Sequence, residues 1–207
     1  MIISESRKFI FVAIPKTGTH SVRRELRPHM GENDLEQVRL FEKKQFPIPE
    51  LARLGHGHIS LAQLRPFLEP AKFESFFKFA FVRNPFDRFV SYCAFMTRES
   101  GEFESDPKRV MRHILAAPGP RRHILFQPQC SFITAPDGSL LTDFVGRVEQ
   151  MQSSFDEICD RIGVARSKLE KANESKRSDY REYYDAQLIE GVAKLYARDL
   201  ELFGYEF

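Results

Sequence analysis

The segment FIFVAIPKTGTHSV, Phe9 to Val22, decides the fold prediction because a long apolar run there meets a polar turn that contains glycine. The run KFIFVAI is continuous rather than alternating, which is typical of a strand buried on both faces of a sheet, and Pro15 closes it. The pattern THSVRRELRP then favours a short helix, with Thr19 as its cap and with Pro28 and Gly31 at its end. The segment therefore predicts a strand, a turn and a helix in succession.

A second unit of the same kind begins at FFKFAFV, Phe76 to Val82, and breaks at Asn84-Pro85. The following apolar residues recur at i, i+3, i+4, i+7 and i+8, as on one helix face: Phe86, Phe89, Val90, Cys93 and Ala94. More helices are predicted at 106–117 and on two apolar stripes, Met151 to Ile162 and Ile189 to Phe203. Repeated strand–turn–helix units predict an α/β fold of three layers, with a central parallel sheet flanked by helices.

Two further segments carry weaker patterns. The stretch CSFITAPDGSLLTDFVGRVE, from Cys130, predicts two short strands joined by a Pro-Asp-Gly turn. The stretch LGHGHISLAQL predicts an extended segment, Gly55 to Ile59, that enters a helix near Ser60. The chain of 207 residues is 42% hydrophobic, and we expect it to form one domain over residues 1–207.

Composition narrows the classes of function. A formal net charge of +2 disfavours a general nucleic-acid binder. Cys93, Cys130 and Cys159 fit no disulfide or metal spacing, so buried free thiols are expected. The apolar run Phe9 to Ile14 is too short for a signal peptide or a membrane span. We therefore expect a protein of the reducing cytoplasm without integral membrane contact, and the sequence leaves its oligomeric state open.

The turn at 15–21 predicts an anion site. A turn from a parallel strand into a helix offers backbone N–H groups and a helix N-terminus, both of which favour phosphate. Gly18 allows a ligand to approach the backbone closely, and Lys16 supplies a positive charge. Three hydroxyls add donors: Thr17, Thr19 and Ser21. The order differs from that of a Walker A loop, in which the lysine follows the second glycine, and an ordinary turn with a solvated lysine is the alternative.

The segment FVRNPFDRFVSY predicts a second anion site. Arg83 stands at the carboxyl end of the second strand and offers a planar fork for phosphate, while Ser91 lies about two helical turns further on. Asp87 and Arg88 could instead pair with neighbours and fix the turn. Because the carboxyl ends of parallel strands meet at one sheet edge, two such sites imply a ligand with phosphates at two separated places.

These two motifs together resemble a known family. PKTGTHS is similar to the 5′-phosphosulfate loop of sulfotransferases, and RNPFDRFVSY is similar to their 3′-phosphate element. With FVGRVEQMQSSFDEI and the ending YYDAQLIEGVAKLYARDLELFGYEF, most of the chain resembles the carbohydrate branch (Golgi-type, heparan 2-O-like) and its soluble bacterial relatives. The resemblance implies a P-loop-NTPase-like sulfotransferase fold. It also implies 3′-phosphoadenosine 5′-phosphosulfate (PAPS) as donor, 3′,5′-adenosine bisphosphate as product, and no metal.

The resemblance also implies roles for individual residues. Lys16 would contact the oxygen that bridges sulfur and phosphate. The rest of the turn would hold the 5′-phosphate: Pro15, Thr17, Gly18, Thr19, His20 and Ser21. Arg83 and Ser91 would bind the 3′-phosphate. A late basic segment would fold over that phosphate, with a solvated run of charge as the alternative: Lys176, Arg177 and Ser178.

The stretch GHGHIS supplies the candidate base. His56 and His58 alternate, so on an extended segment they face the same side, and imidazole titrates near neutral pH. The stretch resembles the His-Gly-His segment that carries the base in heparan 2-O-type enzymes, which implies His56 as first choice and His58 as second. A zinc pair or core histidines are the alternatives, although no third ligand has suitable spacing.

The sequence thus predicts a PAPS-dependent O-sulfotransferase that modifies a hydroxyl of a carbohydrate or glycoconjugate. The alternatives are a nucleotide-dependent phosphotransferase (kinase) on the same fold and a nucleotide-binding module without catalysis. A kinase is disfavoured because the Walker A order is missing and because Asp143 precedes its predicted strand rather than ending it. Lys16 and the histidine pair argue against a silent module.

Overall fold

The computed structural model describes residues 1–37, 46–170 and 178–207. Within them the chain forms five strands: β1 Ile2–Ser4, β2 Phe9–Val12, β3 Leu35–Glu36, β4 Phe77–Val82 and β5 Phe144–Arg147. The same residues form eleven α-helices: α1 Thr19–Leu26, α2 Pro49–Ala52, α3 Leu61–Leu64, α4 Pro70–Ser75, α5 Pro85–Met96, α6 Glu102–Ser105, α7 Pro107–Ala116, α8 Pro118–Arg122, α9 Met151–Ile162, α10 Ala186–Leu195 and α11 Ala197–Phe203. The predicted α/β class is confirmed.

The chain divides into two compact units. The first unit comprises Met1–Val82 and Ser131–Asn173, and the second unit comprises Arg83–Cys130 and Glu174–Phe207. The first unit contains the sheet. The single domain over 1–207 stays a prediction.

The sheet of the first unit is mixed rather than wholly parallel, with the strand order β3-β1-β2-β4-β5. Its core is parallel: β2 pairs with β4 and β4 pairs with β5. The prediction of a parallel sheet was incomplete because β1 and β3 add two antiparallel pairings. Strands of three and two residues are too short to show a hydrophobic period.

The core of the first unit is rich in phenyl rings. The ring of Phe79 lies 5.6 Å from that of Phe9 and 5.3 Å from that of Phe11, measured between centroids. Helix α9 ends at Gly163, which adopts the left-handed conformation. Four buried residues of the helix pack on this core: Phe155, Ile158, Cys159 and Ile162. The predicted two-face burial of β4 is confirmed for all its residues after Phe77.

The second unit has its own apolar core between α5, α7 and α10. The hydroxyl of Tyr184 donates to the Phe86 carbonyl oxygen at 2.8 Å within it. Helix α7 agrees with the prediction at 106–117, and Asp106 caps it by accepting from the Arg109 N–H. The single stripe predicted from Ile189 to Phe203 was wrong in one respect, since the helix breaks at Tyr196 and forms α10 and α11.

The predicted strand pair after Cys130 is reduced to one bridge, between Thr134 and Leu140. The Pro-Asp-Gly turn is present, with Gly138 at φ 86°, but only β5 continues as a strand. Asp143 precedes β5, as expected. The three cysteines are free and buried, also as expected. Among the described residues, none of the helices combines the length and the apolar character that crossing a membrane requires.

Candidate functional site

Two residues of the turn after β2 adopt the left-handed conformation, Lys16 at φ 66° and Gly18 at φ 73°. Such residues turn successive backbone N–H groups toward one concavity, which is the geometry of an anion-binding nest. The hydroxyl of Thr17 donates to the Ile14 carbonyl oxygen at 2.9 Å and holds the turn. A positive φ at a lysine costs on the order of 1 kcal/mol, and strain of this kind concentrates at functional sites.

Helix α1 begins with an N-terminus that suits an anion. Its N-cap is Gly18, no side chain caps it, and its first turn contains no acidic residue. The first N–H groups of a helix have no acceptor within the helix, and its dipole is positive at that end. Thr19 was expected as the cap but is the first helical residue, because Gly18 adopts the left-handed cap conformation without steric cost.

Gly18 also lies against Met151, the first residue of α9. A Cβ atom at Gly18 would lie 2.6 Å from the Met151 Cε atom. Position 18 is therefore restricted twice, by its φ and by the space that this methionine occupies.

Two of the predicted hydroxyl donors are engaged within the protein. Thr17 donates to Ile14, and the Ser21 Oγ donates to the Glu170 carbonyl oxygen at 2.8 Å. Lys16 is partly exposed and His20 is exposed. The structure brings residues 15–21 together in one turn, in which these two hydroxyls already donate to carbonyl oxygens of the protein.

The histidine segment reaches the end of β2. The His58 Nδ1 lies 2.6 Å from the Ala13 carbonyl oxygen. Since a carbonyl only accepts, Nδ1 carries the hydrogen and Nε2 of the neutral ring carries the lone pair. Burial of the imidazole lowers the pKa of His58 to about 3. The positive charge of Arg23 lowers this pKa further, whereas the hydrogen bond to Ala13 raises it.

His56 lies beside His58, with ring centroids 6.1 Å apart. Its Nδ1 accepts the His58 N–H at 3.3 Å, so in the neutral ring Nε2 carries the hydrogen. The Nε2 atoms of the two imidazoles therefore differ: that of His58 is a hydrogen-bond acceptor, and that of His56 is a hydrogen-bond donor. As predicted, the segment then enters a helix at Ser60, which forms a capping box with Gln63.

Close packing fixes the glycine between the two histidines. A Cβ atom at Gly57 would lie 2.0 Å from the Gln37 carbonyl oxygen and 2.9 Å from the Arg23 Nη2. The same Nη2 donates to the Gln37 oxygen at 3.1 Å, and the Gln37 Nε2 donates to the His56 oxygen at 2.8 Å. Arg23 belongs to α1, so these hydrogen bonds through Gln37 connect that helix to the histidine segment. The sequence did not single out Arg23 because nothing in RRE distinguishes it from Arg24.

In the second unit, Arg83 directly precedes the N-cap of α5, and Ser91 lies within that helix. Asn84 caps α5 by accepting the Phe86 N–H at 3.0 Å. The Arg83 Nε and Nη2 both lie 2.6 Å from the Asp87 Oδ2. Within α5, Asp87 and Ser91 are spaced by four, which is the interval of neighbours on a helix face.

A buried glutamine holds the backbone of Arg83. The Gln129 Oε1 accepts the Arg83 N–H at 2.9 Å, and its Nε2 donates to the Arg83 carbonyl oxygen at 2.9 Å. Asp199 accepts the N–H groups of Gln129 and Cys130, both at 2.8 Å. Sequence reasoning assigned this role to neither residue. The available signal was an acidic residue, Asp199, on the otherwise apolar stripe of the last helix.

Comparison with known families decides what these features belong to. A family model described as "Sulfotransferase family" matches residues 1–206. This chain belongs to the sulfotransferase family. No curated protein and no solved structure matches it. The match supports sulfuryl transfer as the general chemistry and agrees with the α/β sulfotransferase fold.

Two remaining expectations for this sulfotransferase concern the late basic segment and the metal. Lys176 and Arg177 lie outside the described residues, and Ser178 is exposed. Among residues 1–37, 46–170 and 178–207, three or more His, Cys, Asp or Glu side chains nowhere come together as a metal site would require.

Proposed function

We propose that this sulfotransferase transfers a sulfuryl group from PAPS to a hydroxyl of a carbohydrate or glycoconjugate. The observation that carries the proposal is the turn with Lys16 and Gly18 in the left-handed conformation, which opens onto the uncapped N-terminus of α1. This arrangement fits a phosphosulfate because backbone N–H groups, a helix dipole and an ammonium group all favour an anion.

In the proposed reaction the acceptor oxygen forms a bond to sulfur while the bond between sulfur and the 5′-phosphate oxygen breaks. PAPS supplies the activated sulfuryl group. The Lys16 ammonium stabilises the charge that develops on the leaving phosphate, and the N–H groups of the turn hold that phosphate in place. The turn is formed by Lys16 together with six further residues: Pro15, Thr17, Gly18, Thr19, His20 and Ser21.

The proton of the acceptor hydroxyl passes to one of the two histidines. The resemblance ranks His56 first, but the hydrogen bonds favour His58, whose Nε2 carries the lone pair. The low pKa of His58 makes it a weak base before the donor binds. A bound anion nearby favours the charged imidazolium and raises that pKa.

The 3′-phosphate of the donor is proposed to bind Arg83 and Ser91. Arginine binds phosphate through its planar fork, and Ser91 lies one turn beyond Asp87 on α5. The segment Lys176, Arg177 and Ser178 stays a proposed cover for this phosphate.

Calorimetry tests the nucleotide part of the proposal. We expect 3′,5′-adenosine bisphosphate to bind at least about tenfold more tightly than AMP or ATP without magnesium, since the 3′-phosphate adds charge-assisted hydrogen bonds. Binding of Mg-ATP without a preference for the 3′-phosphate would favour a kinase and refute the proposal.

Turnover of PAPS tests the catalytic residues. Lys16→Ala is expected to lower turnover at least about a hundredfold by removing the charge at the leaving group. His58→Ala is expected to remove turnover while leaving bisphosphate binding within about twofold, and His56→Ala to be milder. The exposed His113 provides the matched control, His113→Ala. The opposite order of the two histidine variants would assign the base to His56.

Mass spectrometry of an acceptor library incubated with PAPS tests the acceptor class. Sulfated oligosaccharides or glycolipids would support the proposal. Sulfation confined to small phenols or amines would contradict the carbohydrate assignment but would still support PAPS as the donor. Bisphosphate binding without transfer to any acceptor would indicate a silent binding module.

A further inference from the structure

We propose that Gln129 is a positioning residue that fixes Arg83 for the 3′-phosphate and so sets the preference of the enzyme for a 3′-phosphorylated nucleotide. The inference rests on the proposed function, because it concerns the nucleotide assigned there. Both residues belong to the second unit.

The two hydrogen bonds of Gln129 hold both backbone polar groups of Arg83. Its Oε1 accepts the Arg83 N–H and its Nε2 donates to the Arg83 carbonyl oxygen, each at 2.9 Å. Arg83 is the first residue after β4, whose last ladder pair is formed by Val82 and Arg147. A side-chain amide therefore takes the place of a strand partner at the residue where strand pairing ends.

The side chain of Arg83 is held separately. Its Nε and Nη2 both lie 2.6 Å from the Asp87 Oδ2. Its position is thus defined at the backbone by Gln129 and at the guanidinium by Asp87. A planar fork binds a phosphate well only in the correct orientation, so a shift of the backbone on the order of 1 Å is expected to weaken the contact.

Gln129 is itself rigidly supported. Gln129 and Asp199 have 0% exposed surface, and the Asp199 carboxylate accepts the N–H groups of Gln129 and Cys130. The Arg88 Nη2, also buried, donates to the Leu125 and Gln127 carbonyl oxygens at 3.2 and 2.9 Å. Burying an amide side chain is costly unless its polar atoms are paired. The Gln129 amide makes its two shortest bonds to Arg83, and its Nε2 also lies 3.5 Å from the Asp199 Oδ2.

The test is the ratio of the dissociation constants of AMP and 3′,5′-adenosine bisphosphate, measured by calorimetry. Gln129→Met keeps the length of the side chain but removes both hydrogen bonds to Arg83, together with the longer one to Asp199. We expect the ratio to fall about tenfold, the effect of weakening one charge-assisted contact, while the affinity for AMP stays within about twofold.

Tyr196→Phe is the matched control. It removes the 2.9 Å bond from the Tyr196 hydroxyl to the Phe126 oxygen, a buried bond that does not involve Arg83. This control should lose stability and keep the wild-type ratio. An equal fall of the ratio in both variants would mean general loosening and would overturn the inference, as would an unchanged ratio in Gln129→Met.

Two further measurements cover the remaining outcomes. If Gln129→Met does not fold, Asp199→Asn removes one accepting oxygen from the support of Gln129 and should lower the ratio in the same direction. An unchanged ratio there counts against the inference. A wild-type protein without preference for the 3′-phosphate would refute the proposed function instead. In that case, faster hydrogen exchange of the Arg83 amide in Gln129→Met still tests the positioning, and unchanged exchange overturns it.

Discussion

At the scale of single residues, Gly18 meets two constraints at once. Its φ of 73° is one that other residues reach only with strain, and Met151 occupies the space where a side chain would begin. The backbone N–H groups of the proposed phosphate turn depend on this geometry. Under the proposed function, the same residue would therefore link folding to donor binding.

Gly18→Ala is expected to lower the free energy of unfolding by about 1–2 kcal/mol and to weaken bisphosphate binding about tenfold, because the turn must open to relieve the strain. Urea unfolding and calorimetry measure the two effects. Gly119→Ala is the control, since nothing lies within 4 Å of a Cβ atom there. The control lies within α8, where alanine favours the helix, so it should leave stability unchanged or raise it by up to about 1 kcal/mol. Equal effects of the two substitutions would contradict the constraint.

His58 predicts a pH dependence of stability. Its pKa of about 3 in the folded protein is below the ordinary value of 6.5. Between these values the unfolded chain binds a proton that the folded protein does not, so stability falls as the pH drops from 6.5 toward 3. At pH 5 this histidine should cost about 2 kcal/mol relative to pH 7.

Urea unfolding of the wild type and of His58→Gln at pH 7 and pH 5 checks this expectation. The wild type should lose about 2 kcal/mol more than the variant on acidification. His113→Gln, at an exposed position, should behave like the wild type. If the wild type and His58→Gln lose the same free energy of unfolding on acidification, the assignment of a neutral His58 in the folded protein is wrong.

At the scale of elements, the histidine segment depends on its contact with α1. Arg23 of that helix donates to the Gln37 carbonyl oxygen, which lies 2.0 Å from the position of a Cβ atom at Gly57. A side chain at residue 57 must therefore displace the segment that carries both histidines. The turn at 15–21 does not share this contact.

Gly57→Ala is expected to lower the turnover of PAPS at least about tenfold while the affinity for the bisphosphate changes less than about threefold, because a base displaced by about 1 Å loses its alignment. Steady-state sulfation of the acceptor identified by mass spectrometry, together with calorimetry, separates the two effects. An equal loss of binding and turnover would show that the turn moves with the histidines.

Elements with a clear period or motif were predictable from the sequence. The buried runs of β2 and β4 and the apolar stripe of α9 agree with the structure. Strand β1 was missed because three residues show no period, and the break at Tyr196 interrupts a stripe that looks continuous. The same limit applies to the candidate site. The turn at 15–21 consists of adjacent residues and forms a recognisable motif. Gln129 is 46 positions from Arg83 in the sequence, and no local pattern indicates that the two residues are hydrogen-bonded.

At the scale of the whole molecule, a bound nucleotide should stabilise the folded chain. At a hundredfold excess over its dissociation constant, 3′,5′-adenosine bisphosphate is expected to raise the free energy of unfolding by about 2.7 kcal/mol. AMP at the same concentration should give a smaller effect. The resemblance to PAPS enzymes implies no metal, so EDTA should leave the effect unchanged. Thermal or urea unfolding measures this, and a loss of stabilisation in EDTA would contradict the metal-free assignment.

The hydrogen bonds around both candidate phosphate positions join residues that are far apart in the chain. The Ser21–Glu170 bond of the turn spans 149 residues, and the bonds that link Gln129 to Arg83 and to Asp199 span 46 and 70. The ribosome makes the chain from its N-terminus, so these partners leave it late. The turn must wait for Glu170, and Gln129 must wait for Asp199 in α11. During synthesis, neither candidate phosphate position can thus be complete before most of the chain has left the ribosome.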